Sequence, residues 1–300
     1  MTTRYSPRTF VVAALAAMLL ATAAQDRRRS RGGGEGGYVA EDVRTAREVG
    51  SHSTGTPNWT NGIAFEKDVF TFTRVRYQSG GRYGRQYGGW QRWTIDFPDS
   101  DLNLSFRVQQ MTSLKVDPDG RVIRLTDKDL FKHPWIYVVE PGDISFTDEE
   151  ATSLRNYLLN GGFIMFDDFW GEWEYRGFYE AIKKVFPDRE PQELDMDHPL
   201  FHAVFDIKLA KNQMQVPNVG LGMEGQYYNN AVTWERPDAQ DVHFKGIFDD
   251  KGRMMVFIAH NTDNGDGWER EGEHEYYFKE FSEKKAFPLG INVIFYSMTH

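Results

Sequence analysis

The stretch that decides the fold is GGFIMFDDFWG, residues 161–171. Its apolar run, Phe163–Phe166, is short and uninterrupted, which is typical of a strand buried on both faces of a parallel sheet. Two glycines precede the run and two aspartates follow it, so the strand ends at a polar turn. Strand and helix patterns alternate on both sides of this stretch, and that alternation predicts an α/β domain.

The patterns on either side define a domain over residues 65–300. Alternating or continuous apolar runs predict strands at 70–77, 122–125 and 135–139, and a hairpin over 246–258. Helical spacing predicts helices at 99–112, from the capping box at Thr147 to Asn160, around 178–185 and at 289–298. The polar stretch 187–245 predicts loops and short strands. The sequence thus predicts a three-layer sandwich with a mostly parallel central sheet.

The N-terminus has the layout of a secretory signal peptide over residues 1–24. Arg4 and Arg8 precede an apolar run, Phe10–Leu20, and small residues follow it. The run is shorter than the roughly 20 residues that span a bilayer, although an uncleaved anchor is the alternative. Residues 25–61 are rich in glycine and arginine and predict a disordered linker. We therefore expect an exported protein, periplasmic or extracellular, with no membrane span after cleavage of the leader.

Composition excludes several classes of site. The formal net charge is -9, and removal of the two leader arginines would leave about -11, which disfavours nucleic acid as the main partner. There is no cysteine, so the chain has no disulfide, no thiolate metal site and no cysteine nucleophile. The oligomeric state stays open.

Two predicted strands end in polar clusters. Asp167 and Asp168 follow one strand, and His260, Asn261, Asp263 and Asp266 follow another. Ligands of open parallel sheets bind beyond the carboxyl ends of the strands, so we expect both clusters at one edge. Adjacent buried carboxylates need a compensating cation or donors, and a divalent cation is one solution. Helix capping and bonds to backbone amides are the alternative.

Asp167, Asp168 and His260 are the candidate catalytic residues, as acid, base or metal ligand. The candidate ligand-binding residues are Asp96, Asp99, Trp170, His198, Asn261 and Asp263. Asp99 has helix capping as its alternative role, and Pro199 argues against His198 and His202 as a helical zinc pair. The glycine-rich loop from Tyr77 to Trp93 interleaves arginines with aromatic residues, which can stack on sugars or bases or fold back on the domain.

Several blocks, in the same order, resemble the domain of unknown function 4159 family over roughly residues 70–300. The blocks are Phe72–Tyr77, Asp96–Leu104, Gly161–Gly171, Asp197–His202, His260–Asp263 and Gly290–Asn292. The resemblance implies a class I glutamine amidotransferase-like, flavodoxin-like fold. Amidotransferases of that fold use a cysteine at a strand-to-helix turn. This chain has no cysteine, so glutamine hydrolysis by that route is excluded. Asp167 and Asp168 stand at this kind of turn instead.

Three functions follow as hypotheses. The first is an exported, non-catalytic binding or assembly domain of the cell envelope, with an envelope protein or a glycan as partner. The alternative is a metal-assisted or carboxylate/histidine hydrolase acting on an envelope carbohydrate or ester. A weaker third is single-stranded nucleic-acid binding through Arg82, Arg85 and Arg92. A divalent cation is the one cofactor that the residues suggest, and its identity is open.

Overall fold

The computed structural model describes residues 37–65, 68–79, 91–228 and 232–300. The predicted signal peptide, the first part of the predicted linker and residues 80–90 of the aromatic loop lie outside the described residues. None of the helices in the described part is both long enough and apolar enough to cross a membrane.

A seven-stranded sheet forms the centre of the domain. The strands are β1 (Thr73–Val75), β2 (Arg121–Ile123), β3 (Trp135–Val139), β4 (Phe163–Asp167), β5 (Gln192–Glu193), β6 (His243–Phe248) and β7 (Met254–His260). Their order is β2-β1-β3-β4-β7-β6-β5. The first five strands in this order are parallel, whereas β6 runs antiparallel to β7 and β5 antiparallel to β6. The mostly parallel sheet is therefore confirmed.

Helices cover both faces of the sheet. They are α1 (Asp99–Met111), α2 (Asp148–Leu159), α3 (Gly171–Val185), α4 (Val219–Tyr228), α5 (Asn264–Glu269), α6 (Glu275–Tyr277) and α7 (Phe287–Thr299), with a π-helix at Phe278–Ala286. Leu154 of α2 and Phe178 of α3 belong to one buried apolar cluster, and Leu104 of α1 and Ile291 of α7 belong to the other. The helices therefore form two layers around the sheet, as the α/β pattern predicts.

Short 3₁₀ helices occupy several connections. They lie at Ala46–Glu48, Ile63–Phe65, Arg92–Thr94, Leu130–Lys132, Pro141–Asp143, Pro199–His202 and Lys211–Gln213. The predicted capping box begins α2: the Thr147 side chain accepts a hydrogen bond from the Glu150 backbone amide, and Glu150 accepts one from the Thr147 amide. Local sequence chemistry therefore sets the start of this helix.

The structure differs from the sequence-based expectation in two segments. Helix α4 lies in the stretch predicted as loops and short strands. The sequence did not predict this helix because Gly220, Gly222 and Gly225 lower helix propensity and hide any amphipathic pattern. Residues 37–61, expected within the disordered linker, lie against the domain. Val39 and Ala46 are buried there, and Arg47 donates hydrogen bonds to the carbonyls of Pro118 and Thr56. Isolated apolar residues and backbone contacts of this kind leave no periodic pattern in the sequence.

Candidate functional site

An acidic cleft of about 490 Å³ opens at the carboxyl ends of the parallel strands. The chain leaves β1 towards β2 on one side and leaves β3 towards β4 on the other, so the cleft lies where the connections diverge. Its lining residues are Arg92, Ile95, Asp96, Glu140, Asp168, Trp170, Glu174, Asn218, Val219, Gly220, Glu235, Arg236, Asp263, Asp266 and Arg270. We call this site the acidic cleft.

Three aspartates from three connections meet inside the acidic cleft. Asp96 lies in the loop before α1, Asp168 directly follows β4, and Asp263 lies between β7 and α5. One carboxylate oxygen of each lies within 4.8 Å of the other two. The residues are only 3%, 6% and 5% exposed, respectively. We call these three residues the aspartate triad.

The members of the aspartate triad differ in their hydrogen bonds. Asp168 Oδ1 accepts from Trp170 Nε1 at 2.9 Å, and Asp263 Oδ1 accepts from the Asp266 amide at 2.7 Å, at the start of α5. Asp96 Oδ2 is buried and has no hydrogen-bond partner among the described residues. A buried carboxylate oxygen without a donor costs free energy, so this atom needs a proton or a cation.

Burial dominates the electrostatics of the aspartate triad. It raises the pKa of Asp96, Asp168 and Asp263 well above the ordinary aspartate value, and neighbouring carboxylates raise each pKa further. Without a cation, burial and the neighbouring carboxylates therefore both favour the protonated forms of these groups. A divalent cation between them would displace the protons and stabilise the ionised form.

The backbone is unusual at this edge. Four non-glycine residues of the described chain have a positive φ: Asp96 at 60°, Glu140 at 47°, Asp168 at 55° and Asn261 at 61°. Three of them line the acidic cleft, and the Asn261 side chain accepts a hydrogen bond from the Gly171 amide at 2.8 Å. Left-handed backbone in non-glycine residues is unfavourable and clusters at functional sites, so its concentration here supports a functional role for the cleft.

Asp167 has a different environment from its neighbour Asp168. Its carboxylate accepts hydrogen bonds from Asn264 Nδ2 at 2.8 Å and from the Tyr137 hydroxyl and the Gly265 amide, both at 3.0 Å. Burial raises its pKa to about 7, and these donors partly offset the effect of burial. Asp167 therefore fixes α5 to the end of β4 and does not line the acidic cleft.

Gly265 is required for this arrangement. A Cβ atom at Gly265 would lie 2.0 Å from Asp96 Oδ2, closer than any side chain allows. The absent side chain therefore lets the Asp96 carboxylate approach the start of α5, next to Asp167.

His260 lies outside the acidic cleft, so the expected grouping of this histidine with the carboxylates does not occur. Its ring contacts Phe169 and Tyr175 at centroid distances of 4.8 and 4.9 Å, and Nε2 lies 3.1 Å from the Gly171 carbonyl. Burial lowers its pKa to about 4, so the ring is neutral at physiological pH. Side chains alternate between the two faces along β7, and the register of β7 decides which face His260 occupies. The sequence alone does not reveal that register.

His198 lies at the opposite edge of the sheet. Its ring packs 5.5 Å from Tyr296 and 6.4 Å from Phe248, which ends β6 and pairs with Met254 at the start of β7. Its Nδ1 accepts a hydrogen bond from the Leu200 amide at 3.2 Å, at the start of a 3₁₀ helix. His198 therefore acts as a local cap and is not a member of the acidic cleft.

Asp99 holds the N-terminal segment instead of lining the cleft or capping α1. Its carboxylate accepts hydrogen bonds from Ser51 Oγ at 2.5 Å and from the amides of His52 and Ser53 at 2.9 and 3.3 Å. The His52 Nδ1 atom lies 3.0 Å from Glu269 Oε1. Asp99 therefore anchors residues 51–53 above α1 and α5.

Trp170 and the described tryptophan of the predicted aromatic loop are buried. Trp170 lines the acidic cleft, but it is buried and its indole nitrogen bonds Asp168. Trp93 is buried in one of the two apolar clusters. Trp90 lies outside the described residues. The described aromatic residues of this region therefore do not form an exposed platform.

Charged residues that the sequence analysis missed complete the walls of the acidic cleft. Glu140 directly follows β3, which was a usable signal, because that strand ends at the same edge as β4. Glu174 lies in the first turn of α3, where a glutamate also stabilises the helix dipole. Glu235 and Arg236 lie in an irregular segment, whose position at the edge no sequence pattern indicates, whereas Asp266 belongs to the polar cluster expected after β7.

The side-chain atoms of the acidic cleft that could coordinate a metal are oxygen atoms. Its described lining contains no histidine, lysine, serine, threonine or cysteine. Carboxylate oxygens are the ligands of hard cations such as Mg²⁺, Ca²⁺ and Mn²⁺. The residues of the aspartate triad therefore suit such a cation better than zinc or copper.

Comparison with known protein families gives a match for this chain. A family model described as "Domain of unknown function (DUF4159)" matches residues 71–298. This range contains every lining residue of the acidic cleft and begins after the N-terminal segment that Asp99 holds. No curated protein matches the chain.

Proposed function

From the premise that this chain belongs to the DUF4159 family, we propose that it is an exported binding domain whose acidic cleft holds a divalent cation and, through it, a ligand. The observation that carries the proposal is the aspartate triad with the unpartnered, buried Asp96 Oδ2. Three mutually close buried carboxylates are costly unless a cation or protons neutralise them.

The strand order and the leader pattern support the fold affiliation and the export that the proposal includes. The strand order β2-β1-β3-β4-β7 matches the flavodoxin-like order 2-1-3-4-5, which supports affiliation with the amidotransferase-like fold. Asp168 stands at the strand-to-helix turn after β4, and no cysteine is present in the chain. The leader pattern of residues 1–24 supports export.

Calorimetric titration of the EDTA-treated mature protein with Mg²⁺, Ca²⁺ and Mn²⁺ tests the proposal. We expect binding of at least one of these ions, and the substitution Asp168→Asn should weaken that binding more than about tenfold because one charged ligand is lost. Asp197→Asn is the matched control, since Asp197 is exposed and lies outside the cleft. Absence of binding to the wild-type protein, or equal loss in the control, would overturn the proposal.

Metal-assisted hydrolysis is the second candidate, and Glu235 is the observation in its favour. Glu235 lines the acidic cleft, and burial raises its pKa to about 6, partly offset by hydrogen bonds from Asn218. A carboxylate with this pKa can accept a proton from water near neutral pH. Cation-dependent turnover of p-nitrophenyl esters or glycosides, lost in Glu235→Gln, would establish this reading. Absence of turnover in the cation-loaded protein favours the binding domain.

A further inference from the structure

We propose that the ligand of the acidic cleft is neutral and rich in hydroxyl groups, such as the vicinal diol of a glycan, and is not a phosphate or another anion. This inference rests on the proposed function, because the hydroxyl oxygens would complete the coordination of the bound cation. It adds the chemical class of the ligand, which follows from the charges and hydrogen-bonding groups of the cleft walls.

The first argument is the charge of the walls. Seven carboxylates and three guanidinium groups line the acidic cleft, which leaves four negative charges when all are ionised. A divalent cation removes two of these charges. The loaded cleft therefore remains negative, and an anionic ligand would be repelled by the same groups that attract the cation.

The second argument is that wall carboxylates already pair with the arginines. Arg92 Nε lies 2.5 Å from Glu140 Oε2, and an Arg236 terminal nitrogen lies 2.6 Å from Glu174 Oε1. Arg270 Nε lies 3.0 Å from Asp266 Oδ1. A phosphate at one of these arginines would compete with the carboxylate that already neutralises it, and a displaced carboxylate would lose its partner.

The third argument is the hydrogen-bonding character of the walls. Ionised carboxylates accept hydrogen bonds and donate none, so a cleft rich in them requires a ligand that donates. Sugar hydroxyls donate to carboxylates and also coordinate hard cations through their oxygens. A phosphate ester supplies chiefly acceptors. The volume of about 490 Å³ lies within the range of small-molecule pockets.

A glycan-binding measurement on the cation-loaded mature protein tests the inference. Neutral oligosaccharides (chitotriose, maltotriose and mannotriose), inorganic phosphate and glucose 6-phosphate are titrated separately, with and without EDTA. We expect one or more neutral sugars to bind only with the cation, and at least about tenfold more tightly than either phosphate compound, a difference of about 1.4 kcal/mol. Tighter binding of a phosphate compound, or binding of none of the sugars, overturns the inference. If the cation itself does not bind, the proposed function fails instead.

Glu174→Gln provides a second, gain-of-function test. Glutamine keeps an acceptor for the Trp170 amide, which donates to Glu174 Oε2 at 2.8 Å, but it no longer carries the charge that pairs with Arg236 and Arg92. We expect inorganic phosphate to bind this variant measurably more tightly than it binds wild type, because a guanidinium group is released. Cation titration in parallel shows whether the cleft is intact. Unchanged phosphate binding in an intact variant would contradict the role of the ion pairs in excluding anions.

Discussion

Two buried acidic regions lie side by side in this domain, and they are neutralised differently. Asp101 is paired with Arg74, whose guanidinium contacts both carboxylate oxygens and also donates to the carbonyls of Trp93 and Ile95. Asp96, in the loop before the same helix, has an oxygen with no hydrogen-bond partner among the described residues. The first region is complete in the protein alone, whereas the second requires something from solution.

The comparison distinguishes buried charges that are fully paired within the protein from buried charges that are not. Burial alone does not distinguish the two regions, since Arg74, Asp101 and Asp96 are all buried. The state of hydrogen bonding distinguishes them, because evolution of a purely structural site favours a full set of partners for each buried charge. Four predictions test this distinction, from the largest expected effect to the smallest.

The substitution Arg74→Met should have the largest effect on stability. It leaves Asp101 buried without its cation, which costs about 3–5 kcal/mol in the free energy of unfolding. Urea unfolding followed by circular dichroism measures this loss. The double variant Arg74→Met with Asp101→Leu should recover much of it, since no unpaired charge remains. A single variant as stable as wild type would contradict the structural role of the pair.

The substitution Asp96→Asn should remove stabilisation by the cation. A ligand at 100 times its dissociation constant stabilises the folded state by about 2.7 kcal/mol, and the asparagine variant should lose this increment. Its stability in EDTA should stay close to that of EDTA-treated wild type, because asparagine replaces a buried carboxyl whose pKa burial already raises towards the neutral form. Thermal unfolding with EDTA and with excess cation provides the measurement. Full cation stabilisation in the variant would exclude Asp96 as a ligand.

The stability of the cation-free protein should fall as the pH rises from 5 to 7. The folded-state pKa values of Asp167 and Glu235 are raised to about 7 and about 6, whereas carboxyl groups of the unfolded chain titrate near about 4. The unfolded chain therefore releases protons that the native state still holds, which costs up to about 1.4 kcal/mol per pH unit for each group.

Urea unfolding in EDTA at pH 5, 6 and 7 tests this slope. Asp167→Asn should flatten it, since the amide does not titrate. Cation binding should show the opposite trend and strengthen with pH, because protons compete for the aspartate triad. A stability that rises with pH in EDTA would mean that the buried carboxylates are compensated within the folded chain.

The substitution His260→Gln should have the smallest effect on the acidic cleft. The ring packs against Phe169 and Tyr175 and is neutral at physiological pH, so we expect cation affinity to stay within about twofold of wild type, against the tenfold or larger loss typical of removing a metal ligand's support. Calorimetric titration with the same cation gives the comparison. A large loss of affinity would place His260 in the site despite its position.

The sequence predicted those features that depend on local patterns. The run Trp135–Val139, the capping box at Thr147 and the glycine turn before Phe163 are local signals, and the corresponding elements lie where they were expected. The proximity of Asp168 and Asp263 also follows from local signals, because each follows a parallel strand and those strands are neighbours.

Other features depend on contacts that the sequence does not encode locally. The orientation of His260 depends on the register of β7 against β4, and a shift of one residue would reverse it. Asp167 and Asp168 are adjacent and chemically identical, yet donors from α5 reach only the first. Arg92, considered as a nucleic-acid contact, instead pairs with Glu140, which lies 48 residues further along the chain. Such pairings appear only when the chain is folded.

The left-handed backbone at Asp96, Glu140 and Asp168 has a consequence for laboratory evolution. Glycine at these positions would relieve an unfavourable conformation, which costs roughly 1 kcal/mol per residue. A library selected only for heat resistance should therefore accumulate glycine there and lose the three carboxylates. Selection that alternates heat challenge with ligand capture should retain the aspartates, which would reveal a trade-off between robustness and activity at this turn.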